Sequence, residues 1–182
     1  MVEDNYVEKI VGIKYNNTLE KKHNGVIEQV IVPDDTRFER VAAYPNAILP
    51  IRETKDSVGY DMFCAEETIV PAHGLARIPT GVKCYLNAGI FADYWLLLAL
   101  RSSTPEKKGL MLANGIGVIE ADYADNPKNE GHIMGLVYNF TNEPIVVKER
   151  ERILQGVIMQ RHVLGRDNTT GDERKGGFGS TH

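Results

Sequence analysis

Tyr94-Trp95-Leu96-Leu97-Leu98-Ala99-Leu100-Arg101-Ser102-Ser103-Thr104-Pro105-Glu106-Lys107-Lys108 is the stretch that decides the fold. From Trp95 to Leu100 the chain is wholly apolar, then it turns at once to a cation and hydroxyls. A short apolar run ended by turn chemistry reads as a buried strand, because a helix needs ~10 residues and a membrane span ~18. The strand's end carries a helix start: a hydroxyl for the N-cap, Pro105 in the first turn and Glu106 behind it. That helix is expected to reach about Ala113, where Asn114-Gly115 stops it, unless Gly109 ends it sooner.

Outward from this strand the same grammar repeats. Upstream lie β-type runs at Phe38–Ala43, Asp61–Cys64, Glu67–Val70, Leu75–Pro79 and Gly81–Leu86. Downstream come Ile116–Ile119, Ile133–Asn139, Ile145–Val147 and Ile153–Arg161. About ten short strands separated by turn residues point to an all-β barrel or sandwich. Residues 1–36 are polar, with turn material at Asn16-Asn17 and Lys21 to Gly25, and one short strand is expected at Gly25–Val32. They read as an N-terminal extension of uncertain order, followed by a β domain at 37–170 and a glycine-rich C-terminal flap at 171–182.

Composition narrows the function. The 182 residues are 42% hydrophobic and 25% charged, with a net charge of −4, as expected of one soluble globular domain. No basic patch stands out, so a nucleic-acid polymer is not an expected partner, and no run is long enough for a membrane. Met1 to Asn5 lacks signal-peptide character, and Cys64 and Cys84 sit in separate β-type runs, so a reducing cytoplasm is expected. None of the five histidines has metal-ligand spacing.

Five segments carry chemistry. Arg101-Ser102-Ser103 puts a cation and hydroxyls at a helix N-terminus, which favours an anion; an ordinary capped helix with a surface Arg has the same letters. Asn114 to Tyr123 reads as an apolar hairpin arm ending in Glu120, Asp122 and Tyr123, able to meet a base edge and deliver a carboxylate, or as a plain hairpin with a solvated end. Ser57 to Asp61 is a turn leading to an acid, and Glu151 to Gln155 places a charged pair before a strand. The tail, Arg174 to His182, joins two cations, three glycines, one Phe and two hydroxyls. It reads as a flap able to close over a nucleotide polyphosphate, or as a frayed terminus.

In this order the five segments resemble the five motifs of the trimeric dUTPase family. Gly59-Tyr60-Asp61 is similar to motif one, Arg101-Ser102-Ser103 to motif two and Asn114 to Tyr123 to motif three; Glu151 to Gln155 is similar to motif four and Arg174 to Thr181 to motif five. The resemblance implies a jelly-roll-like β-barrel subunit with one short helix, a homotrimer with shared active sites, and Mg²⁺-dependent hydrolysis of dUTP to dUMP and pyrophosphate. It implies that Asn114 and the backbone near Met134 read the uracil edge and that Tyr123 packs under the deoxyribose. Gly117, Val118 and Ile119 lie on the same substrate-binding arm. By the same resemblance Arg101, Ser102, Ser103 and Gln155 hold phosphates, and Asp61 sits near Mg²⁺ through water. Glu120 orients the attacking water, Arg174 acts as an arginine finger and Phe178 stacks on the uracil. Gly177, Gly179, Ser180 and Thr181 complete the substrate-binding tail.

Three departures stand out. Glu120 occupies a position where the family usually carries Asp, and a misplacement of about 1 Å can cost ~10²-fold in rate. Arg174 is one residue closer to Phe178 than in the common family pattern. Ala124 to Glu130 lengthens the hairpin tip and reads as a solvated loop. Glu120 also leaves open a dUTP-binding regulatory protein with little turnover. The dCTP deaminases are the nearest rival in fold, but their catalytic Glu falls at Leu136 here.

Overall fold

The computed structural model describes residues 35–86 and 94–162, together with three upstream backbone strands. Those three are β1 (Lys9–Lys14), β2 (Thr18–His23) and β3 (Val26–Ile31), which form an antiparallel sheet in the order β1-β2-β3. The expected strand at Gly25–Val32 is β3. The stretch Lys21 to His23, expected as turn material, instead belongs to β2, whose register sets Lys21 opposite Glu28.

The remaining strands follow the sequence reading closely. In order they are β4 (Arg37–Arg40), β5 (Gly59–Phe63), β6 (Thr68–Val70), β7 (Leu75–Pro79), β8 (Val82–Tyr85) and β9 (Tyr94–Leu100). After one helix, α1 (Thr104–Lys108), come β10 (Leu110–Leu112), β11 (Gly117–Ile119), β12 (Met134–Asn139), β13 (Ile145–Val147) and β14 (Arg152–Gln160). They make a four-stranded sheet β11-β9-β14-β5, a three-stranded sheet β10-β12-β7, and the pairs β13-β6 and β4-β8. This is an all-β architecture with one short helix.

The opening stretch behaves as its letters predict. β9 lies between β11 and β14, and Leu96 and Leu98, two residues apart, both point into the core. They pack with Met62, Ile78, Leu110, Ile133 and Leu154, all fully buried. Each such side chain contributes roughly 1.5–3 kcal/mol by leaving water.

The helix ends sooner than Ala113. Gly109 adopts φ 64 and its N–H donates to the Pro105 carbonyl at 2.9 Å, a left-handed cap that a side chain would hinder. The released chain then pairs as β10 with β12, a strand hidden in the sequence because Leu110 to Leu112 is too short to show a period of its own. The expected hairpin around residues 124–130 is also rearranged. Its outgoing arm, β11, pairs with β9, whereas the returning arm, β12, pairs with β10 and β7. The two arms therefore open a gap between two sheets.

Candidate active site

Two clefts flank the four-stranded sheet. The first, of about 310 Å³, forms where β5, the β9–α1 corner and β14 meet. Gln155 on β14 lies opposite Asp61 on β5 and opposite Ala99 on β9, so three strands converge on this point. Gly59, Asp61, Arg101, Ser102, Ser103 and Gln155 all line it. The sequence-predicted residues of three separate segments thus come together. Ser103 occupies the helix N-cap but makes no capping hydrogen bond with its side chain, contrary to the usual use of a hydroxyl there.

Asp61 is only 7% exposed, and a buried carboxylate needs compensation. It has two cations: Arg101 Nε lies 3.1 Å from Oδ1 and Arg152 Nη1 3.4 Å from Oδ2. Arg152 also pairs with Glu53, which lines the same cleft. Arg101, Asp61, Arg152 and Glu53 therefore form a chain of alternating charge, three of whose members line the cleft. Glu53 is a residue that sequence reasoning missed, since its partner Arg152 lies far along the chain.

The second cleft, of about 470 Å³, fills the gap between β11 and β12. Asn114, Gly117, Val118, Ile119, Tyr123 and Met134 line it, so the base-side expectations also converge. Leu98, Leu112 and Leu136 make it apolar, and Arg77 adds a cation from β7. Arg77 stands directly opposite Leu136 across β7 and β12; a lone cation in the apolar run Leu75–Pro79 was its only sequence signal. Glu120 follows β11 directly, and its carbonyl accepts the Tyr123 N–H at 3.1 Å, yet its exposed side chain is not part of either cleft lining. The two clefts share no lining residue. Arg174, Gly177, Phe178, Gly179, Ser180 and Thr181 lie outside the described residues.

Ala124 to Glu130 is a largely exposed loop, as expected, but it is anchored to the body of the protein. Asn126 is buried, and its side chain donates to the Tyr123 carbonyl at 2.9 Å and accepts from the N–H groups of Lys128 and Asn129. Asp125 and Glu130 reach Lys83 on β8. Hydrogen bonds from Lys83 and Tyr85 hold the Asp125 carboxyl below its usual range. For Glu130 the Ala42 N–H and then Lys83 do the same. Among the described residues no cluster of three or more His, Cys, Asp or Glu side chains is placed to hold a metal.

Beside the loop, buried His132 accepts a hydrogen bond from the Gly81 N–H at 2.8 Å through Nε2, which requires the neutral ring. Burial pushes its imidazole below the usual range, partly opposed by the carboxylates of Glu66 and Glu130. Above about pH 6.5 His132 is neutral in both folded and unfolded chains. Below that, the unfolded chain takes up a proton that the folded one refuses, so stability falls with pH down to the depressed native value. Melting temperature is expected to drop as pH falls below about 6.5, and to drop less for His132→Gln. An identical pH response in both proteins would contradict this.

The layered sheets, the single short helix and the clefts between strands define a jelly-roll-like all-β protein. The dUTPase family model matches residues 45–182. The deoxyuridine 5'-triphosphate nucleotidohydrolase of Lactococcus lactis is 46% identical over 147 residues, which is 79% of this chain and 95% of that protein. The crystal structure of dUTPase from Streptococcus mutans superposes with a TM-score of 0.67 at 42% identity, covering 71% of this chain and 99% of that one. A mutant dUTPase of phage phi11 of S. aureus, described for its coordination of a structural Mg(II) ion, shares the fold. Its TM-score is 0.59 at 20% identity, covering 76% of this chain and 99% of that one. The chain belongs to the dUTPase family.

Proposed function

We infer that the chain hydrolyses dUTP to dUMP and pyrophosphate, keeping uracil out of DNA and supplying dUMP. The observation that carries this is the convergence of three distant segments on a polar cleft lined by Arg101, hydroxyls, Gln155 and the carboxylates of Asp61 and Glu53, while a fourth lines an apolar cleft suited to a base. Relatives named as dUTP nucleotidohydrolases at up to 46% identity favour hydrolysis over binding alone. Leu136 lines the apolar cleft and cannot activate water, which counts against deamination.

The roles follow from chemistry. Arg101, Ser102, Ser103 and Gln155 bind the phosphate chain with charged and neutral donors. Asn114, Gly117, Val118, Ile119 and the backbone near Met134 meet the uracil, and Tyr123 lies beneath the sugar. Glu120 takes a proton from, or aligns, the water that breaks the bond between the α and β phosphates. Arg174 meets charge developing on the leaving pyrophosphate; Phe178 covers the base, and Gly177, Gly179, Ser180 and Thr181 carry the tail across the nucleotide.

Mg²⁺ fits this donor set only in part. Asp61 offers one carboxylate whose oxygens already face Arg101 and Arg152, which suits an ion held mainly by phosphates and water. When bound, Mg²⁺ neutralises phosphate charge. Asp61 contributes by accepting hydrogen bonds from that water.

Assembly as a homotrimer follows from the resemblance to the trimeric dUTPases, whose active sites are shared between subunits. Light scattering is expected to give three chains per particle; an active monomer at micromolar concentration would contradict this. Among the described residues no helix is long and apolar enough to cross a membrane, and the unpaired, buried Cys64 and Cys84 suit a reducing cytoplasm. Burial pushes the Cys84 thiol up to about 12, so it stays inert.

The substrate assignment is tested by comparing turnover of dUTP, UTP, dTTP and dCTP. A site that hydrogen-bonds one base edge rejects analogues that leave its groups unpaired, so dUTP is expected to lead by about 10²-fold or more. Comparable kcat/KM for dCTP overturns the assignment. Gly59→Ala probes the phosphate side. A methyl there would sit 2.7 Å from Gln155 Oε1, and only that flexible side chain needs to move. KM is expected to rise roughly 3- to 10-fold, the size of one lost hydrogen bond, with the melting temperature little changed.

A further inference from the structure

We propose that Lys83 is a positioning residue for the sugar face: it anchors the loop at 124–131 and, through that loop, fixes the pose of Tyr123. The inference rests on the reading that Tyr123 lies beneath the deoxyribose.

Lys83 stands on β8, outside every dUTPase-like motif, with its side chain only 8% exposed. Its ammonium reaches Asp125 Oδ1 at 2.5 Å and Glu130 Oε1 at 3.0 Å, so one buried cation ties both ends of the loop. The second oxygen of each carboxylate is also held: Tyr85 donates its hydroxyl proton to Asp125 Oδ2 at 2.7 Å, and the Ala42 N–H donates to Glu130 Oε2 at 2.9 Å. Both anchoring residues, Asp125 and Glu130, have positive φ, at 55° and 62°, as does Gly131 just beyond them at 79°. Such backbone persists only where its surroundings over-determine it.

The loop passes this constraint to Tyr123. Asn126 Nδ2 donates to the Tyr123 carbonyl at 2.9 Å, and Asn129 Nδ2 donates to the Tyr123 hydroxyl at 2.8 Å. That hydroxyl donates in turn to the His132 carbonyl at 3.0 Å, on the far side of the loop. Both polar ends of Tyr123 are therefore gripped by residues lying between the two carboxylates that Lys83 holds. A buried ion pair is weak evidence for stability, since an apolar side chain of similar volume often serves as well. What a Met at 83 cannot supply is the fixed loop geometry.

The test measures kcat/KM for dUTP and for UTP in the parent, Lys83→Met, Asp125→Asn and Tyr123→Ala. Asp125 and Glu130 are 53% and 39% exposed, so their carboxylates remain solvated when Lys83 is replaced and the variant is expected to fold. Asp125→Asn breaks the same clamp from the surface and keeps the test valid if Lys83→Met does not fold. Lys83→Met is expected to lower the dUTP-to-UTP ratio by about tenfold or more, because a small misplacement of Tyr123 admits the 2′-hydroxyl. Asp125→Asn should shift the ratio in the same direction by less. A merely structural Lys83 would lower the melting temperature and scale both substrates alike; an unchanged ratio in Lys83→Met and Asp125→Asn overturns the proposal. If Tyr123→Ala collapses the ratio while the clamp variants do not, only this inference fails. If Tyr123→Ala leaves the ratio intact, the sugar-face reading fails and the inference with it.

Discussion

Removing Arg174 to His182 is expected to leave a folded protein whose kcat for dUTP has fallen by at least about 10³-fold, the scale on which arginine fingers act. The segment Arg174-Lys175-Gly176-Gly177-Phe178 sets a cation and an aromatic ring at the two ends of a glycine-rich span. Glycine permits close approach of backbone to ligand, and its backbone N–H groups donate to phosphate oxygens without a side chain in the way. The core of the described residues is built from Met62, Ile78, Leu96, Leu98 and their neighbours, and the truncated protein is expected to keep its melting temperature. Arg174→Ala should reproduce much of the loss, because charge on the departing pyrophosphate appears mainly in the transition state. A truncated protein that turns over dUTP at the parent rate would mean that the segment is a frayed terminus.

Glu120→Gln is expected to lower kcat by about 10² to 10⁴-fold with nucleotide affinity little changed, since it removes a proton acceptor while keeping the shape. Its backbone is fixed on both sides: β11 pairs with β9 just before it, and Tyr123 donates to its carbonyl just after it. The side chain alone decides where the carboxylate reaches. Glu120→Asp should raise kcat, because the shorter acid matches the family's usual geometry. An equal or lower kcat would show that this site is adapted to Glu. Single-turnover kinetics separates these effects from product release.

The parts of the fold legible in the sequence were those set by local chemistry. Trp95 to Leu100 read as a strand and is one, although only Leu96 and Leu98 are buried and the rest half-buried, and Pro105 and Gly109 bounded α1 by their backbone preferences alone. Leu110 to Leu112 was hidden because a three-residue strand has no period of its own and depends on β12 for its ladder. β1 and β2 were missed for a similar reason: Thr18 to His23 is too polar to show alternation, and its strand character comes from pairing on both sides. Asp61, Arg101 and Gln155, which line one cleft, could be singled out in the sequence only through the order of the five motif-like segments, since the segments of Asp61 and Gln155 are weak signals by themselves. Glu53 and Lys83 were not legible, because nothing in Arg52 to Asp56 or Val82 to Tyr85 reveals a partner 30 or more positions away. That the loop at 124–131 is anchored was hidden for the same reason, since its anchors are long-range ion pairs.

The most direct measurement is a time course of dUTP with purified full-length protein and Mg²⁺, with products identified by chromatography and pyrophosphate measured separately. Equal amounts of dUMP and pyrophosphate, formed in step with loss of dUTP over many turnovers, are the predicted result. Tight dUTP binding without turnover, or release of orthophosphate and dUDP instead, would contradict it.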